Sequence, residues 1–319
     1  MAKSNICILG GTGFVGHSIA RRLVEHGHRV RIISRRRERH RDLLVLPTLE
    51  VVQGSSANRA LLLREFRRAD AVINLVGILN ESGHRGKGFA EVHVHHVARI
   101  IEACKLASVN RLLHMSALNA SESAPSHYLR SKARGEYLAH HSGMKGLHVT
   151  SFCPSVIFGP NDSFVNRFAQ LLKLAPGVFP LACADARFQP VYVEDVATAF
   201  VKALEDRYTF GQSYDLCGPR TYTLYELVSY VASQLGLNTR IIKLNKLLSW
   251  GQAMALEFFP GKPFSLDNYR SLKVDSVCSG SFPTDFGIKP AGLESVVPAY
   301  LGANISDKFS VGPHLTGRN

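Results

Sequence analysis

Three residues in the middle of the chain have the types and spacing for proton transfer to an oxygen atom. Tyr128 and Lys132 are four residues apart in a predicted helix, so their side chains share one face. A tyrosine hydroxyl with a pKa of about 10 is a poor base at neutral pH, and a nearby ammonium group lowers that pKa. Ser116 ends a predicted strand twelve residues earlier. We expect Tyr128 to exchange a proton with a substrate hydroxyl or carbonyl group and Ser116 to donate a hydrogen bond to the substrate oxygen.

A glycine-rich turn near the start of the chain has the spacing of a dinucleotide-binding site. Gly10, Gly13 and Gly16 directly follow the first predicted strand and open the first predicted helix. Gly10 permits the tight turn, Gly13 lets the backbone approach a pyrophosphate, and Gly16 lets the helix pack on the sheet. The N-terminus of the helix then presents free N–H groups to the phosphates. Beside such a cofactor, Tyr128 would act where the nicotinamide ring exchanges hydride, and Lys132 would bind the ribose.

The end of the second predicted strand selects the cofactor. An NAD-selective site carries Asp or Glu there, to bind the ribose 2′-hydroxyl. This chain has Ser34, Arg35 and Arg36 instead. We expect Arg35 to bind a 2′-phosphate, Arg36 to stack or assist, and Ser34 to donate its hydroxyl, because a guanidinium stays charged and matches phosphate geometry. The predicted cofactor is NADP(H), preferred over NAD(H). The alternative is a solvated basic loop.

Short apolar strands alternate with amphipathic helices through the first half of the chain. Val-, Ile- and Leu-rich strands of this kind predict a parallel sheet that is covered on both faces. The predicted fold class is therefore α/β, a Rossmann doubly wound parallel sheet with a smaller C-terminal substrate lobe. The predicted strands are 6–9, 30–33, 49–52, 71–76 and 111–115, and the predicted helices are 14–26, 59–68 and 89–107.

After residue 150 the alternation loosens. A strand over 149–153, a helix over 195–205 and a strand over 213–217 are predicted to belong to the main sheet. The intervening stretches carry many Pro, Gly and aromatic residues. We predict a Rossmann domain over 1–160 to which 190–217 returns, a smaller substrate or partner lobe from 161–189 and 218–303, and a flexible tail over 304–319.

Composition excludes several classes of protein. The 319 residues are 45% hydrophobic and 20% charged, so the chain is neither collagen-like, low-complexity nor intrinsically disordered. It has no apolar run of the roughly 20 residues that a membrane span needs. The first strand begins within the first few residues, so we expect no signal or transit peptide and a cytoplasmic protein, at most peripheral at the inner face of the cell membrane. Cys7, Cys153 and Cys217 lie in apolar, strand-like runs, and we expect core cysteines of a reducing compartment, without a disulfide or a zinc site.

The charge balance is strongly basic, with 38 Lys and Arg against 25 Asp and Glu. Nine arginines lie between positions 21 and 41, which indicates either an anionic partner or a solvated helix face. No nucleic-acid module is visible, so we expect no nucleic-acid partner. His93, His95 and His96 are close in sequence but have no obvious carboxylate or cysteine partner, and we expect no metal.

Several segments resemble the extended and atypical short-chain dehydrogenase/reductase superfamily. These are residues 10–16, 74–77, 128–132, 153–159 and 189–197. Residues 114–120 and 128–136 resemble more narrowly the family of alpha-subcomplex subunit 9 of respiratory complex I, together with its bacterial members. Two positions depart from the superfamily pattern: His93 stands where extended members often have Asn, and Ser55 where an Asp commonly contacts adenine. The resemblance implies further cofactor contacts from Thr12, Phe14, Val15, Leu75, Val76, Gly77, Pro154 and Val156.

The resemblance implies bound NADPH and a link to quinone or respiratory metabolism. The leading prediction is an NADPH-binding oxidoreductase that acts on a small, lipophilic carbonyl or quinone-like substrate. One alternative is a non-catalytic, NADPH-stabilised accessory or assembly subunit of a respiratory complex. A second is a nucleotide-sugar epimerase or dehydratase, against which Arg35 and Arg36 argue because epimerases usually keep NAD bound. A further apolar segment over 244–259 could pack on the core, dock on a membrane surface or cover such a substrate.

Overall fold

The central element is a seven-stranded, fully parallel sheet. The computed structural model describes residues 3–141, 146–175, 177–259 and 262–301. Within these ranges the strand order is β11-β6-β5-β4-β1-β2-β3, which confirms the predicted doubly wound α/β fold. The strands are β1 (Asn5–Leu9), β2 (Arg29–Ser34), β3 (Leu49–Gln53), β4 (Ala71–Asn74), β5 (Arg111–Met115), β6 (His148–Pro154) and β11 (Ser213–Leu216).

Helices cover both faces of this sheet because successive strand residues point to opposite sides. Ile6 and Ile8 belong to one apolar cluster with α1 and α8, whereas Cys7 and Leu9 belong to another with α3 and α5. A π-helical turn, Glu91–His95, interrupts the helix predicted over 89–107. The helices of this part are α1 (Phe14–Glu25), α2 (Arg41–Leu44), α3 (Arg59–Phe66), α4 (Lys87–Ala90), α5 (His96–Ala107), α6 (His127–His140) and α8 (Val193–Glu205).

The remaining elements surround a second apolar core. Three two-stranded ribbons pair β7 (Ile157–Phe158) with β10 (Val191–Tyr192), β9 (Arg187–Phe188) with β12 (Tyr222–Thr223), and β8 (Val178–Leu181) with β13 (Arg240–Lys243). The helices are α7 (Val165–Leu174), α9 (Leu224–Gln234), α10 (Lys246–Glu257), α11 (Leu266–Ser271) and α12 (Leu293–Leu301). No helix in the described ranges is long and apolar enough to cross a bilayer. The tail predicted over 304–319 lies outside the described residues.

The prediction that the chain has no disulfide is wrong. Cys217 and Cys278 are joined, with their Cα atoms 6.1 Å apart. Cys217 directly follows β11, and the Cys278 backbone N–H donates to the Gln189 side chain (3.1 Å). The Ser155 hydroxyl donates to the carbonyl of Ser276 (2.7 Å), which also holds this segment against the end of the sheet. Spacing along the chain could not show this contact, because 61 residues separate the two cysteines.

Helix α10 buries an unexpected face. The predicted apolar face contained Leu247, Trp250, Met254 and Phe258, but the helix buries Ser249, Ala253 and Glu257. Leu247 and Phe258 are 74% and 75% exposed. The Ser249 hydroxyl accepts a hydrogen bond from the Cys183 N–H (3.2 Å), which places the small side chains of α10 against the lobe. The large apolar side chains therefore face outward. We call the exposed set Leu247, Leu248, Trp250, Phe258 and Phe259 the apolar face of α10.

Candidate functional site

The glycine-rich turn joins β1 to α1 at the edge of the sheet where the strands end. Gly10 has a φ of +79°, and a Cβ there would lie 3.0 Å from the Leu75 backbone carbon. The Gly13 N–H donates to the Gly10 carbonyl (3.0 Å), and α1 begins at the next residue. A Cβ on Gly16 would lie 2.5 Å from the Gly11 Cα. The turn is tight and carries only one side chain beyond Cα, that of Thr12, so it leaves the N-terminus of α1 accessible to a phosphate group.

A cleft of about 740 Å³ opens beside this turn. Arg35 and Arg36 are exposed and line it, and no hydrogen bond or ion pair of their guanidinium groups occurs within the described residues. The backbone of this loop is held by Ser34, whose hydroxyl oxygen accepts the Arg36 N–H (3.3 Å). Of the predicted contacts, the cleft wall includes Gly10, Thr12, Ser34, Arg35, Arg36, Val76 and Gly77.

Five predicted cofactor residues lie elsewhere: Phe14, Val15, Leu75, Pro154 and Val156. Leu75 approaches Gly10 through its backbone and packs its side chain on the core, as does Val15. Phe14 lines a separate groove with Thr12. The carbonyl of Pro154 accepts the Leu118 N–H (3.1 Å), and that of Val156 accepts the Val191 N–H (3.0 Å). Neither Pro154 nor Val156 lines the cleft.

Two residues of α5 that were not predicted as nucleotide ligands line the same cleft. His96 is only 4% exposed, its Nε2 atom has no partner, and burial lowers its pKa to about 4. Arg99 donates to the Glu91 carboxylate (2.8 Å), while its Nε atom is buried without a partner. The sequence could have indicated this pair of polar residues, because positions 96 and 99 are three apart in a predicted helix and share one face. The unpartnered nitrogen atoms of His96 and Arg99 suit a polar ligand such as a dinucleotide.

Tyr128 and Lys132 lie on α6 as predicted, one turn apart. The Lys132 Nζ atom donates to the Met115 carbonyl at the end of β5 (2.9 Å) and lies 3.5 Å from where a Gly77 Cβ would be. The N-terminus of α6 is fixed from the other lobe, because the Asp267 carboxylate accepts the backbone N–H groups of His127 (2.7 Å) and Tyr128 (3.0 Å). Asp267 was not predicted, since 139 residues separate it from Tyr128.

The protonation of this pair differs from the prediction. Burial raises the pKa of Tyr128 to about 12, so the expected lowering of that pKa is wrong for this structure. Burial also lowers the pKa of the Lys132 ammonium to about 8, a change that the neighbouring Glu136 carboxylate opposes. At neutral pH, Tyr128 therefore keeps its proton and Lys132 remains mostly charged. A protonated phenol beside an ammonium group suits proton donation to an oxygen atom.

His93 supports Tyr128 from the π-helical turn. Its Nε2 atom accepts the Ile78 N–H (3.1 Å), so Nδ1 carries the hydrogen and donates to the Ser131 hydroxyl (2.8 Å). Ser131 in turn donates to the Tyr128 carbonyl (2.8 Å). Burial, with the Lys132 charge, lowers the His93 pKa to about 3, so the ring stays neutral. Both nitrogens are occupied and His93 has no lone pair left for a metal.

A different group of potential metal ligands lies beside α1. His17, His40 and Asp42 place one ligand atom each within 4.8 Å of one another. The His17 Nδ1 atom is 2.9 Å from the Gly13 carbonyl, and its Nε2 atom lies 2.9 Å from the Asp42 carboxylate. The cluster is partly exposed, and these contacts account for both His17 nitrogens without an ion.

Ser116 is buried but does not point its hydrogen at a substrate. Its hydroxyl donates to Glu136 Oε2 (2.6 Å), and Ser213 donates to Oε1 of the same carboxylate (2.7 Å). The role of Ser116 as a donor to a substrate oxygen stays a prediction, and it requires the hydroxyl to turn away from Glu136. Glu136 was not predicted, although it continues the face of Tyr128 and Lys132 at the same four-residue interval.

The fold and the site together define a dinucleotide-binding α/β protein. A model of the NAD dependent epimerase/dehydratase family matches residues 6–217. The chain belongs to this family, and the predicted resemblance is confirmed. The family description, with its NAD dependence, and relatives named as dehydrogenase subunits and reductases indicate a nicotinamide cofactor and a protein of the oxidoreductase kind.

Three similar proteins show which kinds of protein resemble this chain in sequence or in fold. NADH dehydrogenase (ubiquinone) 1 alpha subcomplex subunit 9 of Mus musculus is 31% identical over 301 residues, which are 90% of this chain and 77% of the mouse protein. Ceramide reductase of Caulobacter vibrioides is 30% identical to this chain, over 76% of this chain and 74% of the length of the reductase. The structure of a dTDP-glucose 4,6-dehydratase from Streptomyces venezuelae has a TM-score of 0.73 at 19% identity, covering 96% of this chain and 98% of its own. This last likeness concerns the fold alone.

Proposed function

We propose that this protein is an NADPH-dependent reductase of a lipophilic carbonyl or quinone-like compound linked to respiratory metabolism. The observation that carries the proposal is the placement of a protonated Tyr128 and a buried Lys132 one helical turn apart, beside a cleft with two unpaired guanidinium groups. The names of the relatives, which include a ceramide reductase and subunits of a ubiquinone-linked dehydrogenase, support the lipophilic and respiratory parts.

The preference for NADPH rests on Arg35 and Arg36. One charge-assisted hydrogen bond to a 2′-phosphate contributes about 1.5–3 kcal/mol, which is roughly 10- to 150-fold in affinity. Calorimetry with NADPH and NADH measures this directly. Arg35→Ala should remove most of the preference, while Arg37→Ala is the matched control, because Arg37 is exposed in the same loop and does not line the cleft. Equal affinities of the wild type for both nucleotides would refute the preference.

The chain's own residues account for the proton side of the reaction. A bound reduced nicotinamide supplies the hydride that reaches the carbonyl carbon. Tyr128 donates its hydroxyl proton to the carbonyl oxygen, which becomes the alcohol, and the phenolate recovers a proton from solvent. The Lys132 ammonium lies on the same helix face and stabilises that phenolate. Asp267 and the His93–Ser131 pair hold the backbone of Tyr128 in place.

The non-catalytic alternative has its own support, since the most similar relatives include named subunits of a large respiratory enzyme. In that case NADPH only stabilises the fold. The two functions separate in a screen of NADPH oxidation across carbonyl and quinone compounds, run beside thermal unfolding with NADPH. Turnover on at least one compound supports the reductase. A raised melting temperature without any turnover supports the accessory subunit.

We also propose a peripheral contact between the apolar face of α10 and an anionic membrane surface. Exposed basic residues without an ion pair in the described ranges accompany this face in the same lobe: Lys173, Arg240 and Lys246. Apolar side chains beside unpaired cations are typical of interfacial binding. Flotation with vesicles containing anionic lipid should recover the protein at low salt. Trp250→Ser should reduce the recovered fraction, whereas Val45→Ser, at an exposed apolar position outside this lobe, should not. Recovery that is equal for both variants would contradict the contact.

A further inference from the structure

A second cavity, of about 410 Å³, lies between the two lobes next to α6. Its apolar wall is formed by Phe89, Met254, Phe258 and Leu266. Phe258 is also 75% exposed, so the cavity opens to solvent at the apolar face of α10. A volume of this size is at the lower end of the range for small-molecule sites.

The cavity is one layer of side chains away from Tyr128. The Phe89 ring, which lines the cavity, packs edge-on against the Tyr128 ring with their centroids 6.0 Å apart. Asp267, which also lines the cavity, accepts the Tyr128 N–H. A molecule in this cavity therefore contacts the groups that fix the position of Tyr128.

The three carboxylates of the cavity wall are already satisfied. Glu81 accepts the N–H groups of Gly86 (2.6 Å) and Gly88 (2.7 Å). Glu257 accepts from Lys262 (2.7 Å), from the Leu266 N–H (2.8 Å) and from His84 (2.9 Å). Asp267 is bound by two N–H groups of α6. Each oxygen of each carboxylate thus has a donor.

Arg270 is different. Arg270 lines the cavity and is partly buried, and its side chain takes part in no hydrogen bond or ion pair within the described ranges. A partly desolvated cation without a partner favours an anion, and a guanidinium binds phosphate or carboxylate oxygens in pairs. The wall therefore combines one unpaired positive charge with apolar side chains that lead outward.

We propose that this cavity binds the anionic end of the reductase's substrate, an amphiphile, and that the carbonyl group that Tyr128 protonates lies outside the cavity. Arg270 binds the phosphate or carboxylate group of this amphiphile, and Phe89, Met254 and Phe258 contact its hydrocarbon part. The proposal names the substrate class of the function proposed above and rests on it. It also gives the exposed Phe258 a role, as the side chain at which a hydrocarbon chain enters from the apolar face.

Binding can be measured without turnover. Trp250 is the single tryptophan of the chain and lies one turn before Met254, so its fluorescence reports on the cavity mouth. Dodecyl phosphate and dodecanoate, titrated below the concentration at which they form micelles, should both bind, and the comparison shows which head group is preferred. Dodecyltrimethylammonium and dodecyl maltoside should bind at least 10-fold more weakly.

Variants of Arg270 test whether its positive charge is needed for binding. Arg270→Ala should weaken dodecyl phosphate binding about 10- to 100-fold, and Arg270→Lys should restore part of it. Arg207→Ala removes an exposed arginine that does not line this cavity and should have no effect. Calorimetric binding of NADPH, measured on the same samples, serves as the fold control. Equal binding of the anionic and cationic amphiphiles, or unchanged binding in Arg270→Ala with a normal NADPH affinity, would overturn the proposal.

The outcomes also separate this proposal from the proposed function. Arg270-dependent amphiphile binding in a protein that never oxidises NADPH would leave the cavity assignment standing and refute the reductase. Tyr128-dependent NADPH oxidation in a protein that does not bind anionic amphiphiles would support the reductase and refute the cavity assignment.

Discussion

Replacing Lys132 by methionine should change how the stability of the protein depends on pH. Burial lowers the pKa of the Lys132 ammonium from 10.5 to about 8 in the fold. Between these two values the unfolded chain binds more protons than the folded one, so the free energy of unfolding rises with pH. Below pH 8 the buried Lys132 ammonium lowers the free energy of unfolding by its full amount. For these pKa values this effect shrinks by roughly 2–3 kcal/mol between pH 7 and pH 10.

Lys132→Met keeps the length of the side chain and removes the titrating group. Its other effects, such as loss of the hydrogen bond to the Met115 carbonyl, contribute nearly equally at both pH values and cancel in the comparison. Urea unfolding at pH 7 and pH 10 gives the four free energies that are needed. From pH 7 to pH 10 the free energy of unfolding of the wild type should rise by roughly 2–3 kcal/mol relative to that of the variant.

The exposed Lys246 provides the control, because Lys246→Met should follow the wild type at both pH values. A difference between wild type and Lys132→Met that stays constant within about 0.5 kcal/mol would refute the reasoning. It would mean that the ammonium group is hydrated in solution and that the site beside Tyr128 is wet.

Two further predictions concern contacts between distant parts of the chain. Asp267→Ala should lower the free energy of unfolding by about 1–2 kcal/mol, as the loss of a helix cap does. It should also reduce kcat and leave the NADPH affinity unchanged. A loss of NADPH affinity as large as the loss of kcat would contradict a role confined to positioning Tyr128. Reduction of the Cys217–Cys278 bond should lower the free energy of unfolding by about 4 kcal/mol, given the 61-residue separation. Thermal unfolding with and without dithiothreitol checks this, and the Cys217→Ser variant should not respond to the reductant.

The parts of the fold that local patterns determine could be predicted. The fifth strand, Arg111–Met115, has the predicted bounds, and Phe14 begins the first helix as predicted. Both follow from apolar runs and glycines within a few residues. The π-helical turn at Glu91–His95 could not be seen, because it depends on how His93 bonds to Ile78 and Ser131 on neighbouring segments.

The position of the candidate residues could be predicted where residue type and spacing indicate it, whereas their roles stay predictions. The glycine turn, Arg35 with Arg36, and the Tyr128–Lys132 pair all lie at the edge of the sheet where the strands end. Glu136 could have been predicted from its position on the Tyr128 helix face. Asp267 could not, because the chain separates it from α6 and only the packing of the lobes joins them.

Helix α10 shows the limit of apolar periodicity. The pattern correctly predicts a helix and leaves open whether the core, a membrane or a substrate covers its large apolar residues. The helix packs through Ser249 and Ala253, whose small side chains permit a close approach to the lobe. A periodic pattern shows that a face is apolar, and it does not show whether protein, lipid or substrate covers that face.

Transfer of deuterium from 4-deuterated NADPH to product tests the central claim most directly. Wild type and Tyr128→Phe are compared on the most active lipophilic carbonyl compound from the screen, using mass spectrometry of the product. The variant keeps the ring against Phe89 and loses only the hydroxyl. We predict deuterium on the former carbonyl carbon with the wild type, a rate about 10²–10⁴-fold lower with Tyr128→Phe, and similar NADPH affinity for both. Equal rates for the two proteins, or no deuterium in any product while NADPH still raises the melting temperature, would contradict the reductase and favour the accessory subunit.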